Sequence, residues 1–204
     1  MNRIIAASQN KHKIREIEEI TKEFGMEIVP RDEADIPKIE IIEDGNTFEA
    51  NSYKKAYEIM KLCGEVTIAD DSGLEVDFLD GAPGVYSARF AGEDGNDQAN
   101  NDKLKDLIKA VPYEKRTGRF VSVITIVFPD GEVIVARGEV EGHIVLEEKG
   151  TNGFGYDPLF IPVGYDITFG EIDPETKNRI SHRGNALQHL KKLLEARQQT
   201  RSEG

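Results

Sequence analysis

Residues 120–128 read Phe-Val-Ser-Val-Ile-Thr-Ile-Val-Phe, the longest β-rich run in the chain. β-branched and aromatic side chains are stiff in a helix and fit a pleated strand. Pro129-Asp130-Gly131-Glu132 follows with turn chemistry, and Val133–Val140 resumes the extended pattern. The segment is therefore expected to be a long hairpin.

The amino-terminal end adds helices. Arg3–Ala7 is a short apolar run stopping at Ser-Gln-Asn, which reads as a strand ending in a turn. Ile14, Ile17, Ile20 and Phe24 recur at helical spacing, and Gly25 is the stop. Glu27–Pro30 is the next strand, so the opening is β-α-β. Thr47 starts a second helix, running to about Leu62 and closed by Gly64. Val66–Ala69 reads as a strand running into an Asp70-Asp71-Ser72-Gly73 turn, with Leu74–Phe78 extended beyond it. Leu104, Leu107, Ile108 and Val111 mark a third helix, and Gly150–Pro158 is a Gly-rich loop. A last helix begins after Ser181, with Ala186, Leu187, Leu190, Leu193 and Leu194 inward. The polar residues 197–204 are expected to fray. Helical units plus a long hairpin predict an α/β fold with a mixed sheet. The 204 residues make one domain, or one domain with two lobes.

Charge narrows the function. A net charge of −12 argues against broad nucleic-acid binding, which needs a basic footprint. A phosphate-bearing ligand is still admissible, because a metal ion and a few lysines reverse the field locally. The lone Cys63 excludes an internal disulfide and is expected in the core. No stretch approaches the 18 apolar residues of a membrane span, and the first apolar run is too short for a signal peptide. A cytoplasmic protein is expected.

Five segments have residues suited to chemistry, each with an ordinary alternative. Ser8-Gln9-Asn10-Lys11-His12-Lys13 opens a helix, where amides and a lysine can meet an anion; an Asn cap among solvated lysines is the alternative. Asp70 and Asp71 at a strand's end can supply oxygen ligands to Mg²⁺, or form a solvated turn. If the backbone is extended there, the two side chains face opposite ways, and one supports the other from behind. Glu43 can add a carboxylate or be a surface acid. In Thr151–Pro158, two glycines flank Phe154, whose ring can stack on a base or be buried. Lys177, His182 and Arg183 put donors near a helix start, the end that disfavours cations; indifferent surface charge is the alternative.

Taken in order, the motifs resemble one family. They are Ser8-x-Asn10-x-x-Lys13, Glu43-Asp44-Gly45-x-Thr47-Phe48, and Ile68-Ala69-Asp70-Asp71-Ser72-Gly73-Leu74. Gly81-Ala82-Pro83-Gly84-Val85-Tyr86-Ser87-Ala88-Arg89, Gly153-Phe154-Gly155-Tyr156-Asp157-Pro158 and Ile180-Ser181-His182-Arg183 complete the set. Over residues 1–195 the chain resembles the inosine/xanthosine triphosphate pyrophosphatases. The resemblance implies a long central mixed sheet with helices in two lobes around an active-site cleft, a homodimer, and Mg²⁺-dependent hydrolysis of a triphosphate to monophosphate and pyrophosphate. It implies that Asp71 is general base and metal ligand and that Glu43 is a second metal ligand. Ser8, Gln9, Asn10, Lys11, His12, Lys13, Lys55 and Ser72 would hold phosphates. Phe154, Gly155, Tyr156, Asp157, Lys177, His182 and Arg183 would hold base and sugar, and Arg89 lies in a family motif.

Physical reasoning agrees with that assignment. In-line attack of water on the α-phosphorus needs a base, a metal and cations on the leaving group. Inosine and xanthine carry a carbonyl where adenine carries an amino group, so donors near His182 and Arg183 would leave adenine's amino group unpaired. Such a mismatch discriminates by roughly 10⁴–10⁵. Guanine keeps the carbonyl and must be rejected otherwise. Two departures stand out. The family usually has Thr-Phe-x-Glu-Asn-Ala where this chain has Thr47-Phe48-Glu49-Ala50-Asn51-Ser52, and usually Gly where it has Asn152. Glu49 cannot replace an acid at position 50, because one helical step turns a side chain by about 100°. Slowed turnover is the expectation. Maf-like pyrophosphatases share the fold but lack the His182-Arg183 segment in this form. They are the second reading, and a catalytically weak nucleotide-binding homologue is the third.

Overall fold

The computed structural model describes residues 3–202. Six strands pair in the order β2-β1-β3-β4-β5-β6. They are β1 (Arg3–Ala6), β2 (Glu27–Pro30), β3 (Thr67–Val76), β4 (Thr117–Val127), β5 (Val133–Ile144) and β6 (Phe160–Pro162). β1 runs parallel to β2 and β3, and β5 antiparallel to β6, so the sheet is mixed. The helices are α1 (Lys11–Thr21), α2 (Phe48–Cys63), α3 (Asp97–Ile108), α4 (Pro174–Ile180) and α5 (His182–Ser202).

The chain forms two compact units, each built from separated segments. The first comprises the chain up to Asp71, Ser122–Gly138 and the chain from Arg183; the second comprises Ser72–Val121 and Glu139–His182. In the first unit the alternation of a strand explains the layers. Ile4 packs with Ile14, Ile17 and Ile20 of α1 and with Leu187 and Leu190 of α5. Its neighbour Ile5 packs with Ala56, Ile59 and Met60 of α2. Helices therefore cover both faces. In the second unit Leu74, Val76, Leu104, Ile108, Phe120, Phe160 and Phe169 form the core.

Caps agree with the sequence at both ends of α2. Thr47 caps α2 by accepting from the Ala50 amide, and Gly64 ends it in the left-handed region at φ 66°. The turn after β4 closes with Phe128 N–H bonded to Glu132 O at 2.9 Å, as the hairpin required.

Several expectations need correction. Asp70-Asp71-Ser72-Gly73 is no turn: β3 runs unbroken through it. β3 lies between β1 and β4 in the sheet, and that pairing holds its backbone extended; a segment also lies against the strand, so that Leu74 N–H donates to Ser87 Oγ at 2.9 Å. α1 ends at Thr21, and a 3₁₀ turn carries Phe24 to Gly25. Of the residues that marked the third helix, Leu107 is 47 % exposed and Val111 lies beyond the end of α3 at Ile108. Cys63 is only half-buried, its thiol beside the Thr67 hydroxyl at 3.7 Å. The expected tail is helical through Ser202, because Arg197 stacks on the Phe128 ring at 3.7 Å and pairs with Glu132 at 2.7 Å. Residues 203–204 of that tail lie outside the described residues. No helix among the described residues is long and apolar enough to cross a membrane.

Candidate active site

β3 delivers two carboxylates in opposite directions. In the first unit, fully buried Asp70 accepts from Ser122 Oγ at 2.5 Å, Lys13 Nζ at 3.0 Å and Arg183 at 3.2 Å. Arg183, equally buried, also pairs with Glu16 of α1. Burial alone would raise the Asp70 carboxyl; Arg183, Lys13 and the Ser122 hydroxyl outweigh it and hold it well below the usual range.

Asp71 has the other environment. Lys55, on the inward face of α2, bonds Glu43 at 2.8 Å and reaches Asp71 at 3.4 Å. Burial raises the Asp71 carboxyl, Glu43 and Asp70 add to this, and Lys55 and Lys13 only partly offset it. Glu43 is held low, with Lys55 overcoming its burial. Lys55 is held high by Asp71 and Glu43 against its own burial. Two acids of one cluster are thus pushed in opposite directions, as happens where acid and base roles separate.

Metal binding fits the residues present. Asp71 Oδ2 is buried with no hydrogen-bond donor among the described residues, and the Glu43 carboxylate is close enough to act on its charge. Two carboxylates are what a Mg²⁺ site commonly takes from protein, with waters and phosphate oxygens filling the rest. No group of three His, Cys, Asp or Glu suited to a metal occurs among the described residues. Ala50 is consistent with that: it is exposed, and its methyl packs toward Gly45 in the loop after Glu43.

The Ser8–Lys13 segment is mostly a cap. Asn10 Oδ1 accepts from the amides of His12 and Lys13, at 3.0 and 3.1 Å, and Ser8 Oγ accepts from Asn10 N–H. Gln9, Lys11 and His12 are exposed. The helix-start amides expected for an anion are therefore engaged, and the segment's main contribution is the Lys13 ammonium.

The second unit holds the aromatic set. Asp157 Oδ2 accepts from Phe154 N–H at 2.8 Å and from Lys177 Nζ at 2.6 Å. Gly153 sits at φ 74°, and a Cβ there would lie 2.0 Å from Asp157 Oδ2, so the loop requires glycine. The Lys177 ammonium lies 5.2 Å from the Phe154 ring centroid. Tyr156 is buried, its hydroxyl donating to Ser87 O at 2.8 Å, and burial pushes its phenol up. His182 stacks on Phe120 at 4.8 Å. Arg89 covers the Tyr86 ring at 5.2 Å, and Ser72 is half-buried on β3.

The structure thus gathers Lys13, Glu43, Lys55 and Asp71 in the first unit, and Phe154, Gly155, Tyr156, Asp157 and Lys177 in the second. Arg183 is the main departure from the expected roles: its side chain is committed to Asp70 and Glu16. Glu16 and Ser122 escaped sequence reasoning. Glu16 looks like one more charge on an amphipathic helix, and Ser122 like one polar position in a β run.

Such a chain is an α/β protein whose carboxylate–lysine centre suits a polyphosphate with its metal. A model of the Ham1 family matches residues 4–193. A Clostridium perfringens protein named dITP/XTP pyrophosphatase is 51 % identical over 200 residues, covering 95 % of this chain and 98 % of its own. A Desulforamulus reducens protein of the same name is 50 % identical over 193 residues, covering 94 % and 95 %. The Staphylococcus aureus Ham1 protein structure superposes with a TM-score of 0.84 at 40 % identity, covering 96 % of this chain and 100 % of its own. The chain belongs to the Ham1 family.

Proposed function

We propose that this chain hydrolyses nonstandard purine nucleoside triphosphates of the dITP, ITP and XTP type to the monophosphate and pyrophosphate. The observation that carries the reading is Asp71, a buried carboxylate with a raised pKa beside Lys55 and Glu43. The names of relatives about half identical to it support the substrate class. Maf-like specificity finds no support among them.

Asp71 takes the proton of the attacking water. Lys55 and Lys13 receive charge that develops on the departing pyrophosphate. Glu43 and Asp71 would hold a Mg²⁺ ion, which supplies charge neutralisation on the phosphates. Phe154 offers a stacking face for the purine. His182, and Arg183 through its backbone, stand beside that role, while the Arg183 side chain anchors Asp70. Action as a homodimer in the cytoplasm completes the proposal.

The test is pyrophosphate release from ITP, XTP, dITP, GTP and UTP with Mg²⁺. Hydrolysis of the first three at least a hundredfold faster in kcat/KM than of GTP or UTP is expected. A preference for UTP, or tight binding without turnover, would overturn the reading. Ala50→Glu, assayed alongside, is expected to raise kcat; an unchanged value removes the idea that Ala50 slows the enzyme.

A further inference from the structure

α3 contributes no residue to the sets above, yet its polar side chains grip the loops that do. Gly155 N–H donates to Asp97 Oδ2 at 2.8 Å, and Asn101 Nδ2 donates to Gly155 O at 3.1 Å. Asp97 and Asn101 are four residues apart, hence neighbours on one helix face. One helix therefore holds both backbone polar groups of Gly155, which sits at φ 60° between Phe154 and Tyr156. Asn100 treats the other loop alike. Its Oδ1 accepts from Ala91 N–H at 2.7 Å and its Nδ2 donates to Ala88 O at 3.0 Å, on either side of Arg89.

These asparagines have no good local reason to be there. Asn is a poor helix former, since its amide competes with the backbone. Asn100 and Asn101 are 2 % and 3 % exposed, positions where an apolar residue would stabilise the helix more. Burying a carboxamide costs free energy unless its bonds are made. Asn100 makes its bonds at both ends to the loop, and Asn101 spends its Nδ2 on Gly155 O while its buried Oδ1 has no donor among the described residues, so the helix bears a cost at Asn101 to hold that loop. The tyrosine bond from Tyr156 to Ser87 O ties the two gripped loops together.

We propose that Asp97 and Asn101 are positioning residues for purine recognition, clamping Gly155 so that Phe154 keeps one orientation before a nucleotide arrives. The inference rests on the reading of Phe154–Asp157 as the base-binding loop. Loosening the clamp weakens base-dependent binding and leaves alone whatever binds phosphates only.

The experiment compares Asp97→Asn, Asp97→Ala, Asn101→Asp and Phe154→Ala, each checked for folding by its thermal melt. Asp97→Asn keeps an oxygen acceptor for Gly155 N–H. Asp97→Ala loses it, and Asn101→Asp loses the donor to Gly155 O. Each of those two is expected to lose about tenfold in the ITP-over-ATP preference, through KM, as one hydrogen bond implies. Asp97→Asn should stay near wild type, and inhibition by inorganic pyrophosphate, which has no base, should not change in any variant. Gly155 amide exchange without nucleotide should quicken in Asp97→Ala and Asn101→Asp. Equal losses in Asp97→Asn and Asp97→Ala would show that the charge matters and the clamp does not. Unchanged exchange and preference in Asp97→Ala would likewise overturn the clamp, and because Asp97 is exposed that variant folds even if Asn101→Asp does not. If Phe154→Ala loses the preference while the clamp variants keep it, the clamp alone is wrong. If Phe154→Ala also keeps it, the base-binding reading itself fails.

Discussion

Asp70 and Asp71 are adjacent on one strand, and the groups on either side of it send their carboxyls in opposite directions. Asp70 is held below the ordinary Asp value of about 3.9, so its charge stabilises the native state. That contribution is fully present above the ordinary value and is lost as pH falls toward the depressed native one. Asp70→Asn breaks a buried pair and should cost about 3–5 kcal/mol at neutral pH. It should also flatten the acid limb of the Tm–pH curve, which a pH series of melts checks. Asp71 is raised, so stability declines as pH climbs from the ordinary value through the native one. Asp71→Asn is therefore expected to raise the Tm of the metal-free protein at neutral pH while abolishing hydrolysis. A lower Tm would mean that Lys55 makes the charge net stabilising. Such stability against activity is the usual trade at a working site.

At the element scale, β3 shows where local reading stops. Asp-Asp-Ser-Gly looks like a turn by composition, but the pairing of β3 between β1 and β4 keeps it extended, and the segment around Ser87 packs against it. Gly73 is the mark of that contact: a Cβ there would lie 2.4 Å from both Gly84 O and Ser87 Oγ. Gly73→Ala should destabilise by about 1–3 kcal/mol through overpacking, seen as a Tm lower by several degrees. An unchanged Tm would mean the segment yields freely. The hairpin of β4 and β5 and the capped helix α2 were legible because turn and cap chemistry are local. β6 was not, since three residues carry no period. α4 was missed although Asp173-Pro174 carries a cap and a proline at the first helical position.

For the whole molecule, charge is decisive. A chain of net charge −12 repels a triphosphate, and attraction rests on a few lysines and the proposed metal. Chelation with EDTA is expected to abolish pyrophosphate release, and added Mg²⁺ to restore it; release persisting in EDTA would contradict the metal role of Glu43 and Asp71. The chain's own residues determined the α/β class, the caps, the hairpin, the acidic balance and the six ordered motifs, because each is a matter of local period or residue type. Tertiary structure decided which carboxyl is held low and which is raised, that Arg183 serves Asp70, and that α3 grips Gly155. Those outcomes depend on burial and on partners far away in the chain: Arg183 lies 113 residues from Asp70 and Ser122 lies 52. No local pattern encodes such a distance, and the low dielectric of the interior is what turns those contacts into opposite protonation behaviour.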